Sequence, residues 1–245
     1  MTALRSAAGL GRSLAIYYGR PWRQNALVEF YRRLIAPGAL AFDIGAHVGS
    51  RSRALRRAGA RVVAVEPQAP FAAFLRLSLP ADVTLVQAAC GAASGEAELA
   101  VSSLHPTVSS LGPLPDQAAT APGFEHVRWD ARQRVEVTTL DALIAAHGRP
   151  GFVKIDVEGA EPEVLAGLSQ PVELVAFEYL PALPGAALAA VDRLAALGAY
   201  EFNAVRGEAP VFLWSGWRDA RGVRNWLAAR AAGEESGDLY ARLAE

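Results

Sequence analysis

The sequence predicts an α/β fold with a doubly wound, mainly parallel sheet of seven strands. From Leu40 onward, short apolar runs alternate with segments of helical period, a pattern typical of βαβ units whose sheet is covered on both faces. The composition, with 52% hydrophobic and 20% charged residues, is that of a folded chain and excludes disordered, collagenous and fibrous classes. At 245 residues, the chain is long enough to bury an enzyme-sized core in one compact domain.

Seven apolar runs are the candidate strands, and helical segments lie between several of them. The strands are expected at 40–44, 61–65, 83–87, 152–156, 174–178, 200–205 and 210–214. The helices are expected at 50–58, 68–79, 140–147, 161–168 and 186–197, with a further helix at about 218–232. Ser50 is well placed to cap the first of these helices, and Pro162 stands where a first-turn proline is tolerated.

About sixty residues separate the third and fourth predicted strands, far more than the loops usual in α/β units. This insertion, at about 90–138, is rich in Ser, Pro and Thr. Its parts at 96–101 and 126–137 alternate partially and predict a small β excursion, whereas 102–123 has the composition of an irregular loop. The expected segments are therefore a helical cap at 1–36, a domain at 37–217 that contains the insertion, and a helical segment at 218–245.

The charges nearly cancel, with 24 basic and 25 acidic residues, but they are unevenly placed. Residues 1–61 hold 11 Arg against only Glu29 and Asp43, so one end of the molecule can attract anions. The alternative is that these arginines only lie on exposed helix faces and attract no particular ligand. Arginine accounts for every basic residue except Lys154.

The cysteine content and the hydropathy of the chain indicate the cellular compartment in which we expect the protein. The single cysteine, Cys90, excludes an intrachain disulfide, and no Cys/His cluster is present to hold zinc. No apolar stretch reaches the length of a membrane span, and the start, broken by Arg5 and Arg12, lacks the apolar core of a secretory signal. Residues 1–28 contain no acids, as in organellar transit peptides, but a short capping segment has the same composition and is the interpretation we favour. We therefore expect a cytoplasmic protein.

A glycine-rich stretch stands where the first predicted strand ends. It reads Asp43-Ile-Gly45-Ala46-His47-Val-Gly49 and has the form DxGxxxG. Gly45 permits a tight turn close to a ligand, and Gly49 lets the following helix pack near the strand. A dinucleotide fingerprint reads GxGxxG, but here the second glycine is missing and an acid precedes the turn. The stretch therefore favours a nucleotide-like ligand with a positive charge over one with a pyrophosphate.

Glu66 closes the second predicted strand, 23 residues after Asp43, where an acidic side chain can accept both hydroxyls of a ribose. An adenosine with an unphosphorylated ribose is implied. S-adenosylmethionine (SAM) offers this ribose together with a sulfonium cation and an α-amino group. The alternative is that Gly45 and Gly49 only shape a turn and that Glu66 caps the next helix.

Four ionisable residues stand at the end of the fourth predicted strand: Lys154, Asp156, Glu158 and Glu161. Alternation with period two puts the first three on one side, with Asp156 near the carboxyl tip, where open α/β sheets bind ligands. Burying such charges beside an apolar strand costs free energy unless the charged groups pair with one another, and groups that take part in a reaction are the other common case. The alternative is one ion pair between Lys154 and Asp156 with solvated neighbours.

Four motifs of the chain resemble those of the FkbM family of SAM-dependent methyltransferases, which have the class I, Rossmann-like doubly wound fold. They are Asp-Ile-Gly-Ala-His-Val-Gly at 43–49, Val-Glu-Pro at 65–67, Thr-Leu-Asp at 139–141 and Lys-Ile-Asp-Val-Glu-Gly-Ala-Glu at 154–161. The resemblance covers about residues 37–205. His47 stands where the family often has Asn, and Ser109-Ser110-Leu111 is similar to a serine-containing segment of the family.

The resemblance implies a set of site residues and an activity. The expected SAM contacts are Asp43, Gly45, Ala46, His47, Gly49, Glu66, Pro67 and Ala88, and the expected catalytic residues are Lys154, Asp156, Glu158 and Glu161. Family members look like O-methyltransferases, so the resemblance implies methylation of a hydroxyl on a sugar, lipid or natural product. The expected partner is therefore a small-molecule or glycan acceptor.

Methyl transfer from a sulfonium to an alcohol oxygen needs aligned reactants and a base for the hydroxyl proton. We expect a carboxylate, Asp156 or Glu158, to be this base, because an adjacent acid keeps the amine of Lys154 charged. Lys154 then orients Asp156 as a fixed positive charge. Mg²⁺ held by Asp156, Glu158, Glu161 and Glu178 is an alternative that we do not favour.

Two other functions stay open at this point. An RNA methyltransferase would use Arg51, Arg53, Arg56 and Arg57 to contact phosphates. However, the fourth strand lacks the Asn/Asp-Pro-Pro-aromatic stretch expected for methylation of base amino groups, so nucleic acid is not the expected partner. A SAM-binding protein without catalysis is the second, against which the charged residues at 154–161 argue. The Arg-rich end also suits an anionic glycan or glycolipid substrate.

Overall fold

The computed structural model describes residues 2–19, 21–105, 109, 111 and 127–244, apart from the side chains of residues 2–6 and 21. The strands are β1 (Leu40–Ile44), β2 (Arg61–Val65), β3 (Thr84–Val86), β4 (Ala89–Cys90), β5 (Gly95–Val101), β6 (Ala131–Thr138), β7 (Phe152–Ile155), β8 (Leu174–Tyr179), β9 (Tyr200–Arg206) and β10 (Gly237–Leu243). The helices are α1 (Thr2–Tyr18), α2 (Pro21–Leu34), α3 (Ser50–Ala58), α4 (Ala69–Ser78), α5 (Leu140–His147), α6 (Glu161–Ala166), α7 (Pro184–Leu197) and α8 (Ala220–Ala228). None of the helices in these described ranges is both long and apolar enough to cross a bilayer.

The large sheet has the strand order β3-β2-β1-β7-β8-β10-β9, in which β10 is antiparallel to both neighbours and the other pairs are parallel. From β1, the sheet grows through β2 and β3 on one side and through β7 and β8 on the other. This reversal leaves a crevice at the carboxyl ends of β1 and β7, where doubly wound sheets bind ligands. The predicted doubly wound, mainly parallel fold is therefore confirmed.

Helices cover both faces of the sheet because its strands are apolar on both sides. In β1, Ala41 belongs to an apolar cluster with Leu27 of α2 and Leu55 of α3. The next residue, Phe42, belongs to the cluster on the other face, with Leu143 of α5. Since successive side chains of a strand point to opposite faces, each central strand contributes to both cores.

The insertion contains a second sheet of three strands in the order β4-β6-β5. Strands β5 and β6 pair antiparallel, which confirms the predicted β excursion, although β6 begins at Ala131 and not at 126. Most of the loop expected at 102–123, together with His126, lies outside the described residues.

The prediction of a strand at 210–214 is wrong. Phe212 forms only an isolated bridge to Val205, and Pro210 has no N–H to donate to a ladder. The seventh strand is β10, which lies in the segment 218–245 that we expected to be helical and that contains only α8 as a helix. Since β10 lies between β8 and β9 and is largely buried, its sequence lacks the alternation of apolar and polar residues by which half-exposed strands are recognised.

The expected helix cap at Ser50 is also wrong. Gly49 occupies the N-cap of α3 with a left-handed backbone, φ 74°, which glycine adopts readily. The Ser50 hydroxyl instead accepts a hydrogen bond from Gln24 of α2 at 2.5 Å. Pro162 does lie in the first turn of α6, as predicted.

Gly45 and Gly38 provide a matched test of the turn that follows β1. Their φ angles are 84° and 79°, but a Cβ at Gly45 would lie 1.9 Å from the carbonyl oxygen of Asp156, whereas at Gly38 it would meet no atom within 4 Å. Gly38→Ala should lower the free energy of unfolding by about 1 kcal/mol through backbone strain. Gly45→Ala should lower it by at least about 3 kcal/mol more, because the obstructing atom belongs to the backbone. Urea denaturation measures both losses, and equal losses would contradict the close approach of the two turns.

Candidate active site

A cavity of about 680 Å³, part of it open to solvent, lies at the carboxyl ends of β1, β2 and β7. Of the twelve predicted site residues, seven line it: Gly45, His47, Glu66, Pro67, Ala88, Asp156 and Glu158. The other five, Asp43, Ala46, Gly49, Lys154 and Glu161, are not part of the lining. The fold therefore brings the two predicted motifs to one cavity. Some of their residues line the cavity, and the others are not part of its lining.

Backbone hydrogen bonds hold the glycine-rich turn against the end of β2. The amides of Gly45 and Ala46 both donate to the carbonyl oxygen of Val65, at 2.9 and 3.0 Å. Asp43 is buried in β1 and accepts a hydrogen bond from the Ser52 hydroxyl of α3, and burial raises the pKa of Asp43 above its ordinary value. Its carboxyl group therefore joins β1 to α3 behind the turn.

Glu66 lines the cavity with a carboxyl group that is almost fully buried. Its two oxygens accept the backbone N–H groups of His47 and Gln68, each at 2.8 Å. The residue is only 2% exposed, and burial raises its pKa to about 7 in spite of these hydrogen bonds. Each oxygen keeps a further lone pair, so the carboxylate form can accept two neighbouring ligand hydroxyls.

The His47 ring forms part of the cavity wall. Its centroid lies 4.4 Å from that of Phe71 and 5.5 Å from that of Tyr17, which comes from α1. Burial lowers the pKa of His47 to about 4, so the imidazole is neutral at physiological pH. Its Nε2 is buried and has no hydrogen-bond partner within the described part of the chain. The ring therefore offers one unsatisfied nitrogen at the wall of the cavity.

Lys154 is fully buried, and its ammonium group lies closest to Asp238 of β10. The Nζ donates to Asp238 at 3.0 Å and to the carbonyl oxygen of Ile155 at 3.1 Å, whereas Asp156 lies at 3.5 Å. Burial opposes the charged amine, but Asp156 and Asp238 outweigh this effect and raise the pKa of Lys154 above its ordinary value. The structure thus brings Lys154 beside Asp156 as expected, and it adds a nearer partner.

Three carboxyl groups, those of Asp156, Glu158 and Glu178, form an acid cluster. One oxygen of each lies within 4.8 Å of the others. Burial and repulsion by neighbouring acids raise the pKa of Glu158 and of Glu178, which favours their protonated forms. The Oε2 of Glu178 is buried and finds no hydrogen-bond partner in the described ranges. The acid cluster can therefore share protons, or hold a hard divalent cation.

Glu161 shapes the loop between β7 and α6. Its Oε1 accepts hydrogen bonds from the backbone amides of Val157 and Gly159, both at 3.2 Å. Glu161 is 1% exposed, and burial raises its pKa to about 7. The side chain therefore fixes the loop that carries Glu158 and does not itself face the cavity.

Sequence reasoning missed two residues that complete the site. Tyr17 of α1 lines the cavity, although it is far in sequence from both motifs. Asp238 neutralises Lys154 from β10. The one sequence signal for Asp238 is indirect, since a buried lysine requires an acid partner. Ser109 and Leu111, from the stretch similar to a family segment, also line the cavity.

A family model for the methyltransferase FkbM domain matches residues 43–230 of the chain. Among solved structures, the fold is similar to precorrin-6y C5,15-methyltransferase from Geobacter metallireducens, with 13% identity, a TM-score of 0.48, and coverage of 90% of this chain and 87% of that one. It is also similar to an O-methyltransferase from Bacillus cereus in complex with SAH, with 12% identity, a TM-score of 0.46, and coverage of 96% and 90%. No curated protein matches the chain.

The pairing of Lys154 with Asp238 predicts a strong energetic coupling. Lys154→Met should lower the free energy of unfolding by about 3–5 kcal/mol, because Asp238 keeps a buried charge with Arg51 at 3.8 Å as its remaining basic partner. Adding Asp238→Asn to Lys154→Met should cost far less than Asp238→Asn alone. A double-mutant cycle by urea denaturation measures the coupling, and additive losses would contradict it. Loss of turnover with full stability would instead give Lys154 a direct role in the reaction.

Proposed function

The chain belongs to the FkbM methyltransferase family, and from this premise we propose that it transfers a methyl group from SAM to a hydroxyl of a sugar, glycolipid or natural product. One observation carries the proposal: a single cavity is lined by Glu66, after β2, and by Asp156 and Glu158, after β7. The first suits the ribose of SAM, and the others suit its positive charge and the proton of the acceptor. We propose a cytoplasmic reaction, in keeping with the free thiol of Cys90.

The groups that line the cavity fit SAM by their chemistry. Glu66 offers two acceptor oxygens to the two ribose hydroxyls. Pro67 and Ala88 are small apolar residues suited to the adenine ring. Within the acid cluster, the carboxylate of Asp156 offers negative charge to the sulfonium and α-amino groups of SAM. When bound, SAM supplies an electrophilic methyl group.

Asp156 is the base in this proposal. Burial and repulsion by neighbouring acids raise the pKa of Glu158 and of Glu178, which favours their protonated forms over the carboxylate that a base requires. Asp156 differs from them because the Lys154 ammonium lies 3.5 Å from its carboxylate. Lys154 is itself anchored to Asp238, so it holds the side chain of Asp156 in place. Asp156 would then accept the hydroxyl proton of the acceptor as the new C–O bond forms and the S–CH₃ bond of SAM breaks, with SAH as the leaving group.

A divalent cation is the alternative role for the acid cluster. Three carboxylates within 4.8 Å of one another offer hard oxygen ligands of the kind that Mg²⁺ prefers. Such an ion would keep Glu158 and Glu178 ionised, whereas the base mechanism leaves them protonated. Activity that survives exhaustive chelation favours the base mechanism, and activity that is lost on chelation and restored by Mg²⁺ favours the metal.

The arginines that an RNA methyltransferase would use make contacts within the chain. Arg51 pairs with Glu208 at 3.0 Å, Arg53 donates to the carbonyl oxygen of Ser78 at 2.9 Å, Arg56 pairs with Asp82 at 2.6 Å, and Arg57 donates to Asn25 at 2.8 Å. These bonds join helices and loops of the domain, so an RNA backbone would have to displace an existing partner at all four arginines. This favours a small acceptor over RNA.

Incubation with methyl-labelled SAM and a cell extract should place the label on a hydroxyl oxygen of an acceptor. Asp156→Asn should lower the rate by at least about a hundredfold, because it removes the base, while affinity for SAH is kept. Glu163→Gln is the matched control, since this exposed acid of α6 lies outside the cavity lining, and it should retain wild-type activity. Label on nitrogen, or full activity of Asp156→Asn, would contradict the proposal. A complete lack of turnover with SAH still bound would favour a SAM-binding protein without catalysis.

Affinity for SAH should rise with pH through about 7. Glu66 has a pKa of about 7, and only its carboxylate form accepts both ribose hydroxyls, so binding requires loss of a proton at lower pH. The affinity should therefore fall by up to about tenfold for each pH unit below 7 and level off above it. Titration calorimetry in wild type and in Glu66→Gln measures the effect. The variant should bind more weakly and without this slope, whereas a slope that persists would assign the pH dependence to another group such as Glu161.

A further inference from the structure

A second cleft, of about 420 Å³, adjoins the active-site cavity. Tyr17 lines both spaces, so they meet at its side chain. The polar residues of the cleft come from α2, from the start of α3 and from the turn after β9; they are Arg23, Gln24, Ser50, Arg51 and Glu208. Helices α1 and α2 precede residue 43, so the part of the lining that they contribute lies outside the residues that the family model matches.

We propose that this cleft binds a phosphate group carried by the methyl acceptor. The inference rests on the proposed methyl transfer and names the class of its acceptor. Because Tyr17 lines both spaces, an acceptor that extends past this side chain would present a hydroxyl to Asp156 while its phosphate lies against Arg23 and Arg51.

Arg51 already holds an oxyanion at the position that the phosphate would take. Its Nη2 lies 3.0 Å from Oε2 of Glu208, and Asp238 lies on it at 3.8 Å. The side chain of Arg51 is only 15% exposed, whereas that of Glu208 is 49% exposed. The arginine is therefore fixed and the glutamate is free to turn outward. A phosphate oxygen can replace Glu208 on Arg51 and leave the contact with Asp238 intact.

Other donors around the cleft complete the set that a phosphate needs. Arg23 is exposed and forms no hydrogen bond or ion pair with another residue that the structure describes. The Ser50 hydroxyl accepts from Gln24, so its own hydrogen remains to be donated. These donors come from two helices, and together they offer several N–H and O–H groups to the oxygens of one phosphate.

The charge of the lining side chains favours the same ligand, since Arg23 and Arg51 both belong to the lining. Within the cleft, Glu208 is the single acid among the lining residues, and it competes directly for Arg51. An uncharged acceptor would gain little from the two cations Arg23 and Arg51, whereas a phosphate would gain charge-assisted hydrogen bonds from both.

Two substitutions with opposite expected effects on phosphate affinity test the cleft, and inorganic phosphate is the probe. Arg23→Gln should weaken phosphate binding at least about tenfold, and Glu208→Gln should strengthen it several-fold because the competing carboxylate is gone. Arg33→Gln is the matched control, since this exposed arginine of α2 lies outside the cleft and should behave as wild type. Calorimetry at constant ionic strength measures the binding, and affinity for SAH checks that the folded active site is unchanged. Wild type that binds no phosphate, or an Arg23→Gln variant that matches Arg33→Gln, overturns the proposal.

The methylated product provides a second readout. The labelled product from the extract should contain phosphorus by mass spectrometry and should be retained on an anion-exchange resin. Its partition between chloroform and water then distinguishes a lipid-linked phosphate from a soluble sugar phosphate. A labelled product without phosphorus overturns the cleft proposal and leaves methyl transfer intact. Phosphate binding without any labelled product supports the cleft and counts against the proposed function.

Discussion

The ion pair between Lys154 and Asp238 is the interaction on which the rest of the structure depends, because a fully buried ammonium group must be neutralised where it lies. The two residues belong to β7 and β10, with β8 between them. The β8 residue in register with Lys154 is Ala176, whose small side chain leaves room for the lysine to reach across. The pair therefore fixes β10 in the sheet and keeps a positive charge behind Asp156.

A shell of buried polar groups supports the groups that face the cavity. Asp43 bonds to Ser52 and so holds the glycine-rich turn beside α3. Glu161 holds the loop that carries Glu158, and Lys154 stands behind Asp156. In each case a residue of one of the two sequence motifs acts on the position or charge of a neighbour. Such support is needed because buried carboxyl groups without partners would shift the local structure or lose their charge.

The two motifs could be predicted from the sequence because their chemistry is local. A glycine turn at a strand end, and acids after an apolar strand, are recognisable without knowledge of the partners, and both prove to lie at one cavity. Asp238 and Tyr17 could not be predicted, since each reaches the site from an element distant in sequence. The strand that carries Asp238 was missed for a physical reason: it is covered on both faces and edges, so its pattern resembles neither a half-exposed strand nor a helix.

Strand β10 follows β9 in the chain but lies between β8 and β9 in the sheet. Because the ribosome releases residues in sequence order, β8 and β9 emerge before the strand that separates them. Until residues 237–243 are synthesised, the facing edges of β8 and β9 lack their partner strand, and Lys154 lacks Asp238, the nearer of its two acid partners. Unpaired strand edges can pair with other chains, so we expect this domain to be most prone to aggregation before β10 is synthesised.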